Sequence, residues 1–308
     1  MTRTDTRTDI RALWGIDLGG TKIEGVVVDA VAPGKPLHRV RVATESDRGY
    51  EHIIGQVTEV VELLESATGM RRASTIGIGT PGTTEPSTGT LKNANTVALN
   101  GRPLAHDLGS ALGAGVILTN DANCFALAEA TFGAARGRAV VLGLIMGTGV
   151  GSGIVVHGRV LQGLHRIAGE WGHNPMCDEH TRCYCGRVGC VETVISGPAL
   201  ERFYLARGGE HVTLAEIAKQ AEGGDAAASA TIGRLTAKFG EAIAAVINIL
   251  DPDAIVLGGG VGNVGRLYGA ETRDAILRHL FNSELRTELL RPALGDSAGV
   301  FGAALLTR

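Results

Sequence analysis

The sequence predicts an α/β protein of two domains, and three observations support this prediction. The chain has 308 residues, about twice the length of an ordinary domain. Apolar runs of strand length alternate with longer stretches of helical 3–4 spacing, as in α/β proteins. A unit of strand, glycine turn and strand begins at Ala12 and returns at Val140, with Gly147 in the place of Gly19. We interpret this return as an internal duplication in which each copy presents a glycine turn to a shared cleft.

The order of elements follows from the periodicity of the chain. Residues 1–10 are polar, and we expect them to fray. In the first half the pattern predicts a hairpin over 12–29, strands over 38–44, 74–82 and 116–118, and helices over 51–66, 104–112 and 124–132. In the second half it predicts a hairpin over 140–158, helices over 198–206, 214–221 and 226–250, a strand within 251–263 that runs into three glycines, and a closing C-terminal helix.

Composition excludes several classes of function. Lys and Arg number 29 against 32 Asp and Glu, so the net charge of −3 argues against a protein built to grip nucleic acid or an anionic membrane. The sequence has no uniformly apolar stretch of membrane-spanning length, and its start lacks the pattern of a signal peptide. We therefore expect a soluble cytoplasmic protein.

Three glycine turns each follow an apolar strand, at Gly19–Gly20, Gly147–Gly151 and Gly258–Gly260. Bare backbone N–H groups in such turns can cradle phosphate oxygens, and the hydroxyls of Thr21 and Thr148 add donors. One such turn is ordinarily only a turn, but three favour a nucleotide site. The chain has no Walker motif, and GTGVGSG (147–153) leads into a strand instead of a helix, which excludes the dinucleotide interpretation.

Acidic and amide residues follow two of the predicted strands. Asp17 ends the first strand, where it either holds Mg²⁺ or caps its own turn. Asn120 and Asp121 follow the strand over 116–118, where Asp121 is a candidate general base and the alternative is a turn or a helix cap.

Four of the five cysteines lie within 177–190, which is typical of a metal site in a reducing compartment. A Cys₃His set suits tetrahedral zinc with no open position, hence a structural ion, and consists of His173, Cys183, Cys185 and Cys190. Cys177 and His180 are competing ligands, and reduced thiols without metal are the other alternative. Glu170 and Glu192 flank the set, either as surface acids or, with His173, as acceptors for the hydroxyls of a polyol.

Together these motifs resemble the ROK family of sugar kinases and repressors, within the actin/hexokinase ATPase superfamily. The matching pieces are GIDLGGTK (15–22), GIGTPG (77–82), NDAN (120–123), GTGVGSG (147–153), GEWGH (169–173), CYCGRVGCVE (183–192) and VLGGG (256–260). Further stretches are similar to the family's bacterial manno/fructokinases: LKNANTVALNGRPL (91–104), EWGHNPM (170–176), ETVISG (192–197) and VINILDPDAIVLGGG (246–260).

The resemblance implies an actin-like (ribonuclease H-like) ATPase fold, with two α/β domains flanking a cleft. The implied domains are 1–121 with about 296–308, and 122–295 with a zinc site inserted at about 173–190. It implies Asp121 as the general base and sugar contacts from Asn95, Asn120, Asp121, Glu170, His173 and Glu192. The residues implied for Mg-ATP are Asp17, Gly19, Gly20, Thr21, Lys22, Gly147, Thr148, Gly149, Gly258, Gly259 and Gly260. His173 would use one ring nitrogen for zinc and the other for the sugar.

The leading functional hypothesis is ATP-dependent phosphorylation of a hexose at its 6-hydroxyl by a homodimer. Fructose and mannose are the first expected substrates, with glucose or N-acetylglucosamine as alternatives. A sugar-sensing regulator without catalysis is the hypothesis from another class. Family repressors carry an N-terminal helix-turn-helix of several tens of residues, and only 18 residues precede the first glycine turn here. A zinc-ribbon interaction module is disfavoured, because the three glycine turns would then have no function.

Overall fold

The fold is described from a computed structural model that covers residues 12–31 and 35–308. Residues 1–10, which we expected to fray, lie outside the described residues. The chain divides into two compact units. The first contains the described residues up to Ala128 with Gln162–Ile167 and Leu294–Arg308, and the second contains Glu129–Leu161 and Ala168–Ala293.

The first unit is built on a five-stranded sheet. Its strands and those of a small hairpin are β1 (Ala12–Leu18), β2 (Lys22–Asp29), β3 (Pro36–Ala43), β4 (Thr75–Thr80), β5 (Thr83–Thr84), β6 (Leu91–Lys92) and β7 (Gly115–Asn120). The order in the large sheet is β3-β2-β1-β4-β7, and β5 pairs separately with β6. β1, β2 and β3 form an antiparallel meander, whereas β1, β4 and β7 run parallel to one another.

Helices α1 (Tyr50–Thr68), α2 (Leu104–Leu112) and α3 (Asp121–Thr131) complete this part of the chain. The apolar face predicted for the first helix is buried as expected, with Ile53, Val57, Val60 and Leu64 inaccessible to solvent. α1 ends at Gly69, which adopts the left-handed conformation that favours glycine.

The start of α3 differs from the prediction, which placed this helix over 124–132. The helix begins at Asp121, because the Oδ1 atom of Asn120 accepts the backbone N–H of Ala122 at 2.9 Å and so satisfies a free donor of the first turn. Asp121 is therefore the first helical residue of α3.

The second unit repeats the plan of the first. Its strands are β8 (Val140–Met146), β9 (Val150–Val156), β10 (Arg159–Val160), β11 (Ala254–Gly258) and β12 (Glu288–Leu290), in the order β10-β9-β8-β11-β12. Again a hairpin and a third antiparallel strand lead, and two parallel strands follow. The two sheets share strand order and direction, so the duplication that the sequence predicted for the hairpins extends to all five strands.

The helices of the second unit are α4 (Glu192–Ile195), α5 (Gly197–Leu205), α6 (Leu214–Glu222), α7 (Ala226–Leu250), α8 (Gly259–Gly262) and α9 (Ala270–Leu277). α7 has the predicted bounds because both ends are marked: the Asp225 carboxylate accepts the N–H of Ala228, and Asp251 is left-handed before Pro252. Within residues 12–31 and 35–308, no helix combines the length and apolarity that crossing a membrane requires.

The last helix, α10 (Ala298–Leu305), returns to the first unit. A side chain at Gly15 of β1 or Gly77 of β4 would collide with the backbone of this helix at Ala304 or Ala303. These glycines let the helix approach the sheet closely. Glycines of the first and fourth strands thus serve helix packing as well as turns.

Candidate active site

The polar residues predicted in the first unit meet at one edge of its sheet. β1, β4 and β7 are parallel neighbours, with Asp17 opposite Gly79 and Thr80 opposite Asn120. The carboxyl ends of parallel strands share an edge, and open α/β sheets bind their ligands there. The edge therefore brings together Asp17, Asn120 and Asp121.

Asp121 stands at the N-terminus of α3, where its Oδ1 atom accepts the N–H of Ala122 at 2.8 Å. The unsatisfied N–H groups of a helix start favour a negative charge. The side chain is half-buried, so its carboxylate is held at a fixed position yet partly accessible. A carboxylate in this state can accept a proton from a bound hydroxyl.

Asp17 carries an unfavourable charge in this structure. Burial, followed by the charges of Asp121 and Glu24, raises the pKa of Asp17 to about 6 from 3.8, with Lys22 and Arg41 acting weakly in the other direction. A divalent cation is attracted to paired carboxylates of this kind, and carboxylate oxygens are the ligands that Mg²⁺ takes. Asp17 therefore fits the predicted magnesium ion, and the nearby charge of Asp121 adds to the attraction.

The sequence did not reveal a buried carboxylate on β2, Glu24. It is 1% exposed and accepts from Arg41 Nη2 at 2.5 Å, while Arg39 Nη1 lies 3.5 Å and Lys22 Nζ 3.9 Å from its oxygens. The ammonium of Lys22, a predicted nucleotide contact, lies at the edge of this cluster, next to the first glycine turn.

The first glycine turn is closed by the N–H of Gly19, which donates to the carbonyl of Lys22 at 3.0 Å. Gly20 and Thr21 are exposed, as a phosphate cradle requires. Buried Thr44 supports the turn from a distant part of the chain: its hydroxyl donates to Gly19 O at 2.6 Å and its N–H to Thr21 O at 2.9 Å. Thr44 had no sequence signature, because nothing but the fold brings it to the turn.

The two predicted asparagines differ in their surroundings. Both ends of the side-chain amide of Asn120 bind backbone atoms: Nδ2 donates to Gly82 O at 3.1 Å, and Oδ1 accepts the N–H of Ala122. Asn95 is exposed on a loop that Asn100 braces through two 2.9 Å hydrogen bonds with Ala94. Asn100 is a further support that the sequence did not indicate.

In the second unit the other two glycine turns are neighbours. Gly258 pairs with Ile145 at the end of β8, and a side chain at Gly259 would meet the backbone of Met146, next to Gly147. Gly259 has a φ of 78°, in the left-handed region. The structure therefore brings together one predicted nucleotide surface, formed by Gly147, Thr148, Gly149, Gly258, Gly259 and Gly260. The run of three glycines proves to be a strand end followed by the short helix α8.

Glu192 links this surface to the predicted sugar contacts. Its Oε2 accepts the N–H of Val150 at 2.9 Å, and a side chain at Gly149 would lie 2.6 Å from the same oxygen. Its Oε1 lies 3.9 Å from Cys183 Sγ. The carboxylate is thus fixed between the glycine turn and the cysteine cluster.

Glu170 precedes a single 3₁₀ turn, Trp171–His173, of the same unit, and His173 is the last residue of that turn. Glu170 Oε2 lies 4.0 Å from His173 Nε2. Burial and, less strongly, the charge of Glu192 raise the pKa of Glu170, while His173 acts in the other direction. The unit therefore presents one group of oxygen and nitrogen atoms suited to hydroxyl groups, formed by Glu170, His173 and Glu192.

The predicted Cys₃His set is assembled. One atom from each of His173, Cys183, Cys185 and Cys190 lies within 4.8 Å of the others. His173 Nδ1 is 3.6 Å from Cys183 Sγ, and Cys185 Sγ is 3.6 Å from Cys190 Sγ. Ligands at zinc bond lengths around a tetrahedral ion are roughly 3.5–3.8 Å apart, so the set fits zinc.

Cys177 and His180, the competing ligands, lie outside this cluster and are both exposed. Cys124 is fully buried, as expected for a packed thiol, and a side chain at Gly79 would lie 2.9 Å from its sulfur. Burial raises the pKa of Cys124, so the thiol stays protonated.

Comparisons with known proteins agree over nearly the whole chain. The sequence model of the ROK family matches residues 13–308. An N-acetyl-D-glucosamine kinase from Photobacterium profundum is 35% identical over 306 residues, which cover 95% of this chain and 98% of the relative. The crystal structure of a ROK hexokinase from Thermus thermophilus is 36% identical with a TM-score of 0.84, covering 96% of this chain and 97% of that one. A glucokinase from Streptomyces griseus, solved with glucose and AMPPNP, is 30% identical with a TM-score of 0.76, covering 96% and 98%. The actin-like ATPase fold is thereby confirmed.

Proposed function

The chain belongs to the ROK family, and on this premise we propose that it transfers the γ-phosphoryl group of ATP to the 6-hydroxyl of a hexose. The observation that carries the proposal is the pair Asp17 and Asp121 at the carboxyl edge of the first sheet. One carboxylate of the pair is suited to a cation and the other to a substrate proton. The first glycine turn, in the same unit, offers backbone N–H groups of the kind that bind phosphate.

Asp121 is proposed as the general base. Its carboxylate accepts the hydroxyl proton as the sugar oxygen attacks the γ-phosphorus, and the bond from phosphorus to the bridging oxygen of ADP breaks. The hydrogen bond from the N–H of Ala122 fixes the position of one carboxylate oxygen of Asp121. Positioning of this kind supplies much of the catalytic effect in phosphoryl transfer.

The remaining contacts are proposed from the resemblance to the family. Asp17 would hold Mg²⁺, whose charge offsets that of the phosphates when bound. The proposed phosphate and adenosine contacts are Gly19, Gly20, Thr21, Lys22, Gly147, Thr148, Gly149, Gly258, Gly259 and Gly260. The proposed sugar contacts are Asn95, Asn120, Glu170, His173 and Glu192. A zinc ion would bind His173, Cys183, Cys185 and Cys190 and fix the loop that presents Glu170 and Glu192.

The identity of the hexose is the most specific part of the proposal. The motif stretches favour fructose and mannose, whereas the curated relative named above is an N-acetyl-D-glucosamine kinase. We place N-acetyl-D-glucosamine first, because the likeness to this relative extends over 95% of the chain instead of over a few motifs. Fructose and mannose remain predictions, and glucose is the further candidate.

A panel of hexoses at a fixed concentration of Mg-ATP tests both the kinase activity and the preferred hexose. We expect ADP release to require a hexose and kcat/KM to be highest for N-acetyl-D-glucosamine, with the phosphate on oxygen 6 by NMR. A higher kcat/KM for fructose or mannose would restore the motif-based prediction. Hexose binding without ADP release would contradict the kinase and support the sugar-sensing regulator.

The buried charge of Asp17 predicts a stability change that is independent of turnover. Because the folded pKa is about 6 and the ordinary value 3.8, the folded state binds a proton that the unfolded chain has released between these pH values. The free energy of unfolding therefore falls as the pH rises through this window, and the full cost, about 2–3 kcal/mol, is present above about pH 6. We expect Asp17→Asn to be more stable than the wild type at pH 8 by about this amount, with the difference vanishing towards pH 4, in denaturant titrations.

The same variant should lose most ATP turnover, because it lacks the proposed magnesium ligand. Asp47→Asn, at an exposed position, is the matched control and should change neither stability nor turnover. Equal stabilities of Asp17→Asn and the wild type at pH 8 would show that the carboxylate carries no such cost.

Two further predictions concern the protein as a whole. The cytoplasm is the proposed location, because ATP is available there and the cysteines of the cluster stay reduced. A homodimer is the proposed assembly, which sedimentation of the purified protein measures directly.

A further inference from the structure

Thr44, the residue that directly follows β3, is bound to both ends of the first glycine turn. It is inaccessible to solvent. Its hydroxyl donates to Gly19 O at 2.6 Å, and its backbone N–H donates to Thr21 O at 2.9 Å. Both contacts are made to carbonyl groups of the turn, so they decide how the peptide planes of the turn are oriented.

The orientation of these planes decides where the N–H groups of the turn point. In a trans peptide the carbonyl and the next N–H point in opposite directions. Because buried Thr44 holds Gly19 O on its own side, the N–H of Gly20 points away from Thr44, towards the exposed side of the turn. The N–H of Gly19 closes the turn on Lys22 O. In the part of the chain that the structure describes, the N–H groups of Gly20 and Thr21 donate to no other protein group, so they are the two donors that the turn can offer.

The duplicated turn of the second unit has the same two features. Gly147, in the place of Gly19, donates its N–H within the turn, to Gly149 O at 2.9 Å. Its carbonyl accepts the N–H of Gly197, at the start of α5, at 2.8 Å. In both units a group far along the chain therefore holds the carbonyl of the first glycine. The donors differ in kind, a hydroxyl in one unit and a backbone N–H in the other, but each fixes the direction of the N–H that follows.

We propose that Thr44 is a positioning residue of the nucleotide site, whose hydroxyl fixes the peptide between Gly19 and Gly20 so that the N–H of Gly20 meets a phosphate oxygen of ATP. The inference rests on the proposed function, since it takes the first glycine turn as a phosphate cradle. A peptide between two glycines has many accessible conformations. Holding it in the binding orientation beforehand removes an ordering cost from nucleotide binding. Thr44 acts through the turn and, being buried, touches no ligand itself.

The test is calorimetric titration of the whole protein with the ATP analogue AMPPNP in the presence of Mg²⁺, and separately with adenosine, which has no phosphate. Thr44→Val removes the hydroxyl and keeps the backbone N–H. We expect its Kd for AMPPNP to rise about three- to tenfold, the effect of one lost hydrogen bond. The Kd values for adenosine and for N-acetyl-D-glucosamine should stay unchanged. Thr44→Ser keeps the hydroxyl and should bind AMPPNP as the wild type does.

Thr287→Val is the matched control. The hydroxyl of buried Thr287 also donates to a backbone carbonyl, Pro252 O at 2.8 Å, in the second unit. This variant loses the same kind of hydrogen bond and should keep the wild-type Kd for AMPPNP. An unchanged Kd for AMPPNP in Thr44→Val would overturn the inference. Equal rises in the Kd values for AMPPNP and adenosine would also overturn it, because Thr44 would then only maintain the fold, and so would a Thr44→Ser variant that binds as weakly as Thr44→Val.

A measurement on the wild type does not depend on how well a variant folds. The amide-proton chemical shifts of Gly19 and Gly20 are followed by NMR while AMPPNP is added with Mg²⁺. We expect a large shift for Gly20, whose N–H gains a phosphate oxygen, and a smaller one for Gly19, whose N–H stays on Lys22 O. A shift at Gly19 that exceeds the shift at Gly20 would contradict the proposed direction of the peptide.

The inference and the proposed function fail in different ways. If the wild type phosphorylates a hexose and Thr44→Val binds AMPPNP equally well, the inference about Thr44 alone is wrong. If the wild type binds AMPPNP more tightly than Thr44→Val but releases no ADP with any hexose, the kinase proposal alone is wrong. If the wild type does not bind AMPPNP, both are overturned.

Discussion

We expect Asp121→Asn to lower kcat by about 10²- to 10⁴-fold, because the variant loses the group proposed to accept the substrate proton. The Kd for the sugar should change little. The asparagine Oδ1 can still accept the N–H of Ala122, so the start of α3 is preserved. Removing the negative charge beside Asp17 also relieves part of the repulsion there, so stability should be unchanged or slightly higher at pH 8. The measurements are a coupled assay of ADP release and calorimetric titration with the sugar.

Asp225→Asn is the matched control for this variant. Asp225 also stands at a helix start and accepts the N–H of Ala228 at 2.7 Å, a role that asparagine can fill. It lies outside the proposed catalytic residues, so turnover should stay at the wild-type level. Near-normal turnover of Asp121→Asn would refute the role of general base, and a loss of sugar binding as large as the loss of turnover would assign Asp121 to binding alone.

The sequence was most informative where structure is set by neighbours in the chain. The hairpins at Ala12 and Val140 were predictable because apolar runs directly flank their glycine turns, and the two sheets share the plan that this repeat indicated. The cluster of His173 with three cysteines was predictable for the same reason, since its ligands come from one short segment.

Spacing alone left the ligand set of this cluster open. Cys177 and His180 are as near in sequence as the assembled ligands, and the path of the chain places them outside the cluster. The start of α3 was missed on similar grounds. Apolar periodicity begins after Asp121, whereas a side-chain hydrogen bond from Asn120 decides where the helix starts.

Contacts between residues that are far apart in the chain could not be predicted from the sequence. Thr44 reaches the first glycine turn from the end of β3, and nothing in its local pattern distinguishes it from other threonines. The charges that raise the pKa of Asp17 belong to Asp121 on α3 and Glu24 on β2. The shift therefore depends on the assembled sheet and could not be predicted from the sequence around Asp17. The contact between Tyr184 and His173 could not be predicted either, because no fixed number of residues separates His173 from a side chain that contacts it.

Loss of one zinc ligand should lower stability and sugar affinity together. Cys185 is exposed, so Cys185→Ser removes a ligand with little change in packing. Binding of a structural metal contributes directly to folding, and we expect Tm to fall by roughly 5 °C or more, since each kcal/mol shifts Tm by about 2–4 °C in units of this size. The KM for the sugar should rise, because His173 and Glu192 contact the cluster, while the KM for ATP should change less.

The neighbouring Cys177→Ser separates this effect from loss of any thiol in the segment. Cys177 is exposed and lies outside the cluster, so its variant should keep one zinc ion per chain, the wild-type Tm and the wild-type KM for the sugar. Zinc is quantified after release from the protein, and melting is followed without nucleotide so that removal of Mg²⁺ by a chelator has no bearing. If Cys185→Ser and the chelated wild type both melt at the temperature of the untreated protein, the cluster is a set of reduced thiols and the ion has no structural role. If Cys177→Ser loses the metal instead, Cys177 is a ligand and the assignment of His173, Cys183, Cys185 and Cys190 as the complete set is wrong.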